Sequence, residues 1–170
     1  MYSIFRAVLA AAGLVVAVAA PAGASTTWVG TADYSAGSNG VTNAPTVGPF
    51  SAYDFGSGAL LLRPTTASTL GVGSTLDGNF QTFVSDHGSG VSQGNLNGLS
   101  GPGTGTPYEL TLAATLQEQI TSIDNTTGTI GFSVTGGQAR LYLSPTVDYS
   151  FTGDSGFTDG APILQGTVLG

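Results

Sequence analysis

These 170 residues contain no cysteine, and charged side chains make up only 8 % of them. Without cysteine there is no disulfide framework, no thiolate nucleophile and no cysteine-ligated metal. Lysine is also missing: the basic side chains are Arg6, Arg63 and Arg140, set against ten acidic ones, for a net charge of −7. Such a surface repels phosphates, which argues against nucleic acid and anionic lipid as partners. The single histidine, His87, is too little for a zinc site, which takes three or four protein ligands. The glutamates are Glu109 and Glu118 alone. Low charge could signal disorder, but an apolar content of 41 % is too high for that. Thr, Ser, Gly and Asn supply the polarity instead.

The N-terminus is the one place with a long apolar run. Arg6 is followed by Ala7 to Ala20, all apolar or Gly, then Pro21-Ala22-Gly23-Ala24-Ser25. A positive start, an apolar stretch of this length and a small-x-small site describe a secretory signal peptide. Residues 1–24 are expected to be that peptide, helical in its apolar part, with Ala22 and Ala24 the small residues of the site and cleavage after Ala24. The run is shorter than a membrane span and breaks at Pro21. Later apolar runs are interrupted by Gly, Thr or Asp, so the mature form is expected not to span a membrane. Residues 25–170 have the length of one domain.

Period-two alternation dominates the C-terminal half of the chain. Tyr108, Leu110, Leu112, Ala114, Leu116 and Ile120 alternate with polar residues from Glu109 to Thr121, which predicts a long half-buried strand over Tyr108–Ser122. By the same parity Glu109 and Glu118 fall on opposite faces, so they cannot flank one glycosidic bond. Asp124-Asn125 marks a turn. Thr129–Thr135 and Ala139–Ser144 each alternate, and Gly136-Gly137 between them reads as a two-residue hairpin turn. Together these predict a three-stranded antiparallel meander. Further strands are expected at Thr26–Tyr34, Phe50–Phe55, Ala59–Arg63, Asn79–Val84 and Ile163–Leu169. Ser85–Thr106, rich in Gly, Ser, Asn and Pro, is expected to be a long surface loop. The fold class is all-β, an antiparallel β-sandwich, with a jelly roll or barrel as the alternative.

Few residues offer chemistry. Gly153-Asp154-Ser155-Gly156 matches the nucleophile loop of trypsin-like proteases, and His87 would have to be the base. The rest of that pattern is missing: Phe157 stands where a second glycine belongs. The expectation is a turn at Ser155, a solvent-exposed loop position for His87, and no enzymatic activity. Asp148, Asp154 and Asp159 lie in one Gly-rich segment, where converging oxygens could hold calcium; bland solvated turns are the competing account. Trp28 and the tyrosines Tyr34, Tyr53, Tyr108, Tyr142 and Tyr149 could stack on sugar rings. Tyr142, on a polar strand face beside Arg140, is the best single candidate, and Trp28 is a third ligand-binding candidate. Packing under loops is the alternative for the aromatics.

The segments YELTLAATLQEQITS, TTGTIGFSVTGGQARLYLSP and FTDGAPILQGTVLG come one after another over the last third of the chain. In this order they resemble exported PEP-CTERM proteins of Gram-negative bacteria, in particular the flocculation-associated type. The resemblance implies a secreted or outer-cell-surface protein with a β-sandwich, acting in extracellular polymer and floc formation. It transfers no catalytic residue. Proteins of that type end in a Val-Pro-Glu-Pro motif, an apolar helix and a basic tail. None of these is in this sequence, and a domain truncated at Gly170 is the expectation. Two functional readings stand side by side. One is a non-enzymatic surface or matrix protein serving flocculation or biofilm, with extracellular polysaccharide or other surface proteins as partners. The other is a carbohydrate-binding module, calcium-assisted through the three aspartates.

Overall fold

A computed structural model describes residues 29–34, 46–66, 69–88, 96–97 and 107–170. The proposed signal peptide, Trp28 and most of the Ser85–Thr106 segment lie outside the described residues. The described chain is all-β and carries no helix. Its strands are β1 (Gly30–Asp33), β2 (Thr46–Phe50), β3 (Asp54–Phe55), β4 (Ala59–Pro64), β5 (Thr75–Asp86), β6 (Glu109–Asp124), β7 (Thr129–Ser144) and β8 (Ala161–Leu169).

Every pairing between these strands is antiparallel. β1 and β2 form a two-stranded sheet; the other six form a large sheet in the order β3–β5–β6–β7–β8, with β4 also pairing β5. From β4 onward each strand pairs with the next in sequence. This is an up-and-down meander, and it does not close into a barrel. Antiparallel neighbours need only a turn between them, as at β6–β7, whereas longer segments join β5 to β6 and β7 to β8. The β6–β7 turn is built by Asp124, whose carboxylate accepts the N–H of Thr126 at 2.8 Å and the Thr127 hydroxyl at 2.8 Å. These bonds hold the exposed Asp124 carboxyl below the usual carboxylate range.

The core sits at one end of the large sheet. Val47 and Phe50 of β2, with Tyr34, pack on Val84, Leu110, Leu141 and Leu143 of the large sheet. Leu96 and Tyr108 join the same cluster. On the opposite face of the same end, Tyr149, Phe151 and Phe157 from the β7–β8 connection gather over Phe83, with Tyr149 stacked on it at 4.9 Å between ring centres. The sheet is thus covered on both faces at this end. Consequently β6 loses its alternation there: Glu109, Leu110 and Thr111 are all buried. Farther along, period two returns, with Glu118 and Ile120 buried between exposed Gln117, Gln119 and Thr121.

Gly136-Gly137 is not a hairpin turn. β7 runs unbroken from Thr129 to Ser144, and the glycines mark a register shift opposite Gln117 and Glu118. Gln117 pairs with Gly136 and Glu118 with Val134, so Thr135 is the extra residue of a β-bulge. The physical reason lies in β6. A partner broken into two short strands would leave about half of the β7-facing edge of this 16-residue strand without ladder hydrogen bonds. Gly137 holds φ +152°, and a Cβ there would stand 2.2 Å from the Thr115 carbonyl oxygen. The long strand expected over Tyr108–Ser122 is β6, while the two short ones expected at Thr129–Thr135 and Ala139–Ser144 are the single strand β7, and the pair is flanked by β5 and β8. β5 begins at Thr75 rather than Asn79, and the expected Phe50–Phe55 strand divides between the end of β2 and β3.

Candidate functional site

One face of the large sheet is polar and open. Residues opposite one another across paired strands share a face, and the register places Arg63 opposite Asp77 and Asn79 opposite Thr115. It likewise places Thr115 opposite Gln138, Ala113 opposite Arg140, and Arg140 opposite Gln165. All of these lie on the face that carries Glu109 and Thr111. The two arginines beyond the N-terminal segment therefore stand on the same surface. Two shallow cavities run along it. One of about 290 Å³ is lined by Arg140, Tyr142, Gln81, Gln138 and Thr158. The next, of about 730 Å³, is lined by Arg63, Asp77, Gln117 and Gln138. Asn79 and Thr115 border both, so the cavities form one groove.

The groove ends against the β7–β8 connection. Thr111 donates from its hydroxyl to the Phe157 carbonyl at 2.9 Å, pinning that loop to β6. Gly156 lets the loop lie close, since it adopts φ +79° against the backbone of Asp148 and Tyr149. Beneath the loop lies Glu109, fully buried. Its Oε2 accepts the N–H groups of Asp148 at 2.9 Å and Tyr149 at 3.3 Å. Its Oε1 is buried without a hydrogen-bond partner. Burial pushes the Glu109 carboxyl up to about 7; the two N–H groups oppose this, and the charges of Asp148 and Asp159 add to it. Carboxylate oxygens of Glu109, Asp148 and Asp159 all lie within 4.8 Å of one another. Of the three aspartates that the sequence offered as a set, Asp148 and Asp159 come together. Asp154, in a left-handed conformation at φ 50°, stands outside that group. Glu109 takes the third place. Parity on β6 put it on the polar face, but only the loop folding over that face reveals its burial.

The remaining candidates are scattered. Tyr34 and Tyr108 are core residues, and Tyr149, part of the β7–β8 loop, is stacked on Phe83. Tyr142 is half-buried in the groove. Among the described residues the tyrosines form no single exposed platform. His87 is not a solvent-exposed loop residue: it is fully buried, ringed by Tyr34, Phe50 and Tyr53. The Tyr34 hydroxyl meets its Nε2 and also donates to the Tyr53 hydroxyl at 3.3 Å. Burial and the Tyr53 hydrogen bond hold the Tyr34 phenol above its ordinary range. Ser155 belongs to the loop on the other face, where its backbone pairs with Ser150 at 2.9 and 3.2 Å. The sheet separates the two members of the protease-like motif.

No protein-family model matches this chain, and no curated protein or solved structure does either.

Proposed function

We propose that this chain is an exported, non-enzymatic protein of the bacterial cell surface or extracellular matrix, and that it holds polysaccharide along the polar groove of its large sheet. The observation that carries the reading is the gathering of Arg63, Arg140 and Tyr142 with Asn79, Gln81 and Gln138 on one open face. Amides and guanidinium groups offer many directed donors to hydroxyl and carboxylate oxygens. Tyr142 adds one ring for a sugar face. With a single tyrosine in the groove, recognition rests on hydrogen bonding along a chain rather than on stacking. The signal-peptide pattern and the likeness of the last third of the chain to flocculation-associated exported proteins point to the same setting. The separation of His87 from Ser155 supports a binding role over hydrolysis.

Affinity electrophoresis through gels cast with extracellular polysaccharide of a floc-forming bacterium tests this. Retardation of the wild-type chain, weakened at least tenfold in apparent affinity by R140A combined with Y142A, is the expected result. Migration unaffected by polysaccharide, or equal retardation of the double variant, would refute the proposed groove.

A further inference from the structure

The geometry points to a calcium site formed by Glu109, Asp148 and Asp159, where the β7–β8 connection closes over β6. Three carboxylates converge within 4.8 Å, one from a strand and two from the loop above it. Two of them are exposed, so solvent alone would account for those. Glu109 is different. It is fully buried, and Oε2 is held by two backbone N–H groups. Oε1, on the carboxylate that meets the two aspartates, has no hydrogen-bond partner. A buried carboxylate oxygen left unmatched is costly. No lysine exists in the chain to balance it. The arginines on this face stand opposite Ala113 and Asp77, whereas Glu109 stands opposite Ser144. A cation supplies both the missing partner and the missing charge.

The donor set selects the ion. All three side chains offer hard oxygen, and no histidine or cysteine joins them. That excludes the sites preferred by zinc and copper. Calcium takes six to eight oxygens in flexible geometry and completes its shell with backbone carbonyls and water, whereas magnesium demands a near-ideal octahedron. Ligands spread over a strand and two separated loop positions, open to water on the side of Asp148 and Asp159, suit calcium. Binding would cross-link the loop to β6. Thr158, next to Asp159, also lines the groove beside Arg140 and Tyr142. The ion would thus fix that groove wall, but the site itself does not depend on the polysaccharide reading.

The test is thermal unfolding of the chelator-stripped chain with calcium chloride alone, and with magnesium chloride in parallel. Extracellular calcium modules bind with Kd of about 0.1–1 mM, so titration to about 10 mM should raise Tm by roughly 4 °C. D148N and D159N, both at exposed positions, should each abolish the shift, while D154N should keep it. A chain whose Tm does not respond to calcium, or a response retained in both D148N and D159N, would overturn the site. An equal response to magnesium would overturn the assignment of the ion.

Discussion

Replacing Gly156 by alanine tests how the loop is anchored over Glu109. Gly156 adopts φ +79°, a conformation that costs a residue with a Cβ about 1 kcal/mol. The added methyl would stand 2.6 Å from the Tyr149 Cα and 2.7 Å from the Asp148 carbonyl oxygen. Both contacts are backbone, so a rotamer change cannot relieve them, and overpacking of this kind costs about 1–3 kcal/mol. The loop must lift, which draws the N–H groups of Asp148 and Tyr149 away from Glu109. The expected loss is about 2–4 kcal/mol. In urea this is a fall in midpoint of about 1–2 M at unchanged slope. Gly166 is the internal control: nothing lies within 4 Å of its position for a Cβ, and its φ lies outside the left-handed region. G166A should therefore stay within about 0.5 kcal/mol of wild type. If G156A unfolds at the wild-type midpoint, the loop does not lie against Asp148 and Tyr149 in solution, and the burial of Glu109 beneath it fails as well.

Contacts at the loop and in the core set four other outcomes. In chelator, the Tm of wild type should fall as pH rises from 4.5 toward about 7. The Glu109 carboxyl titrates higher in the folded chain than its ordinary 4.5, so its contribution is complete below 4.5 and lost through the folded value of about 7. E109Q should flatten that part of the Tm–pH profile. T111V removes the hydroxyl that donates to the Phe157 carbonyl and should cost about 1–3 kcal/mol by urea titration. L143A empties a fully buried core position and should cost about 2–5 kcal/mol in the same assay. Y34F removes the hydroxyl that meets both Tyr53 and His87 and should cost about 1–3 kcal/mol, read as a lower Tm.

The strands were legible where tertiary cover is one-sided. Along the second half of β6, one face meets apolar neighbours and the other meets water, so the alternation of Leu116, Glu118 and Ile120 with Gln117 and Gln119 is plain in the sequence. At Glu109–Thr111 the letters still alternate but burial does not, because the β7–β8 loop covers the polar face there, and no local pattern announces a loop that arrives from some 40 residues away. At Gly136-Gly137 the ambiguity has a sharper cause. Ile130, Phe132 and Val134 are even-numbered, whereas Ala139, Leu141 and Leu143 are odd-numbered. A two-residue turn and a one-residue bulge both shift parity by one, so the same letters satisfy either. Only the length of β6, which needs an equally long partner, separates them. For the site, spacing drew attention to the aspartates of the Gly-rich segment. Two of them meet, but the third partner came from Glu109, distant in sequence and brought near by the fold. The burial of His87 is not legible, because a lone polar residue beside a Gly-rich stretch gives no sign of the aromatic cage formed by Tyr34, Phe50 and Tyr53.

The double cover at one end of the sheet makes it a clamped cantilever. β6 and β7 are held near Glu109–Ala114 and Leu141–Ser144, and they project to the Asp124–Thr129 turn, where Ile130 and Phe132 are exposed. Amide protons should therefore exchange with solvent along a gradient within one continuous ladder, slowest at the clamp and fastest at the tip. Force or thermal fraying would enter from the turn and travel toward the loop that covers Glu109. A cation on that loop would tighten the clamp while leaving the tip free to bend, so the reach of the projecting arm and the strength of its root could change independently.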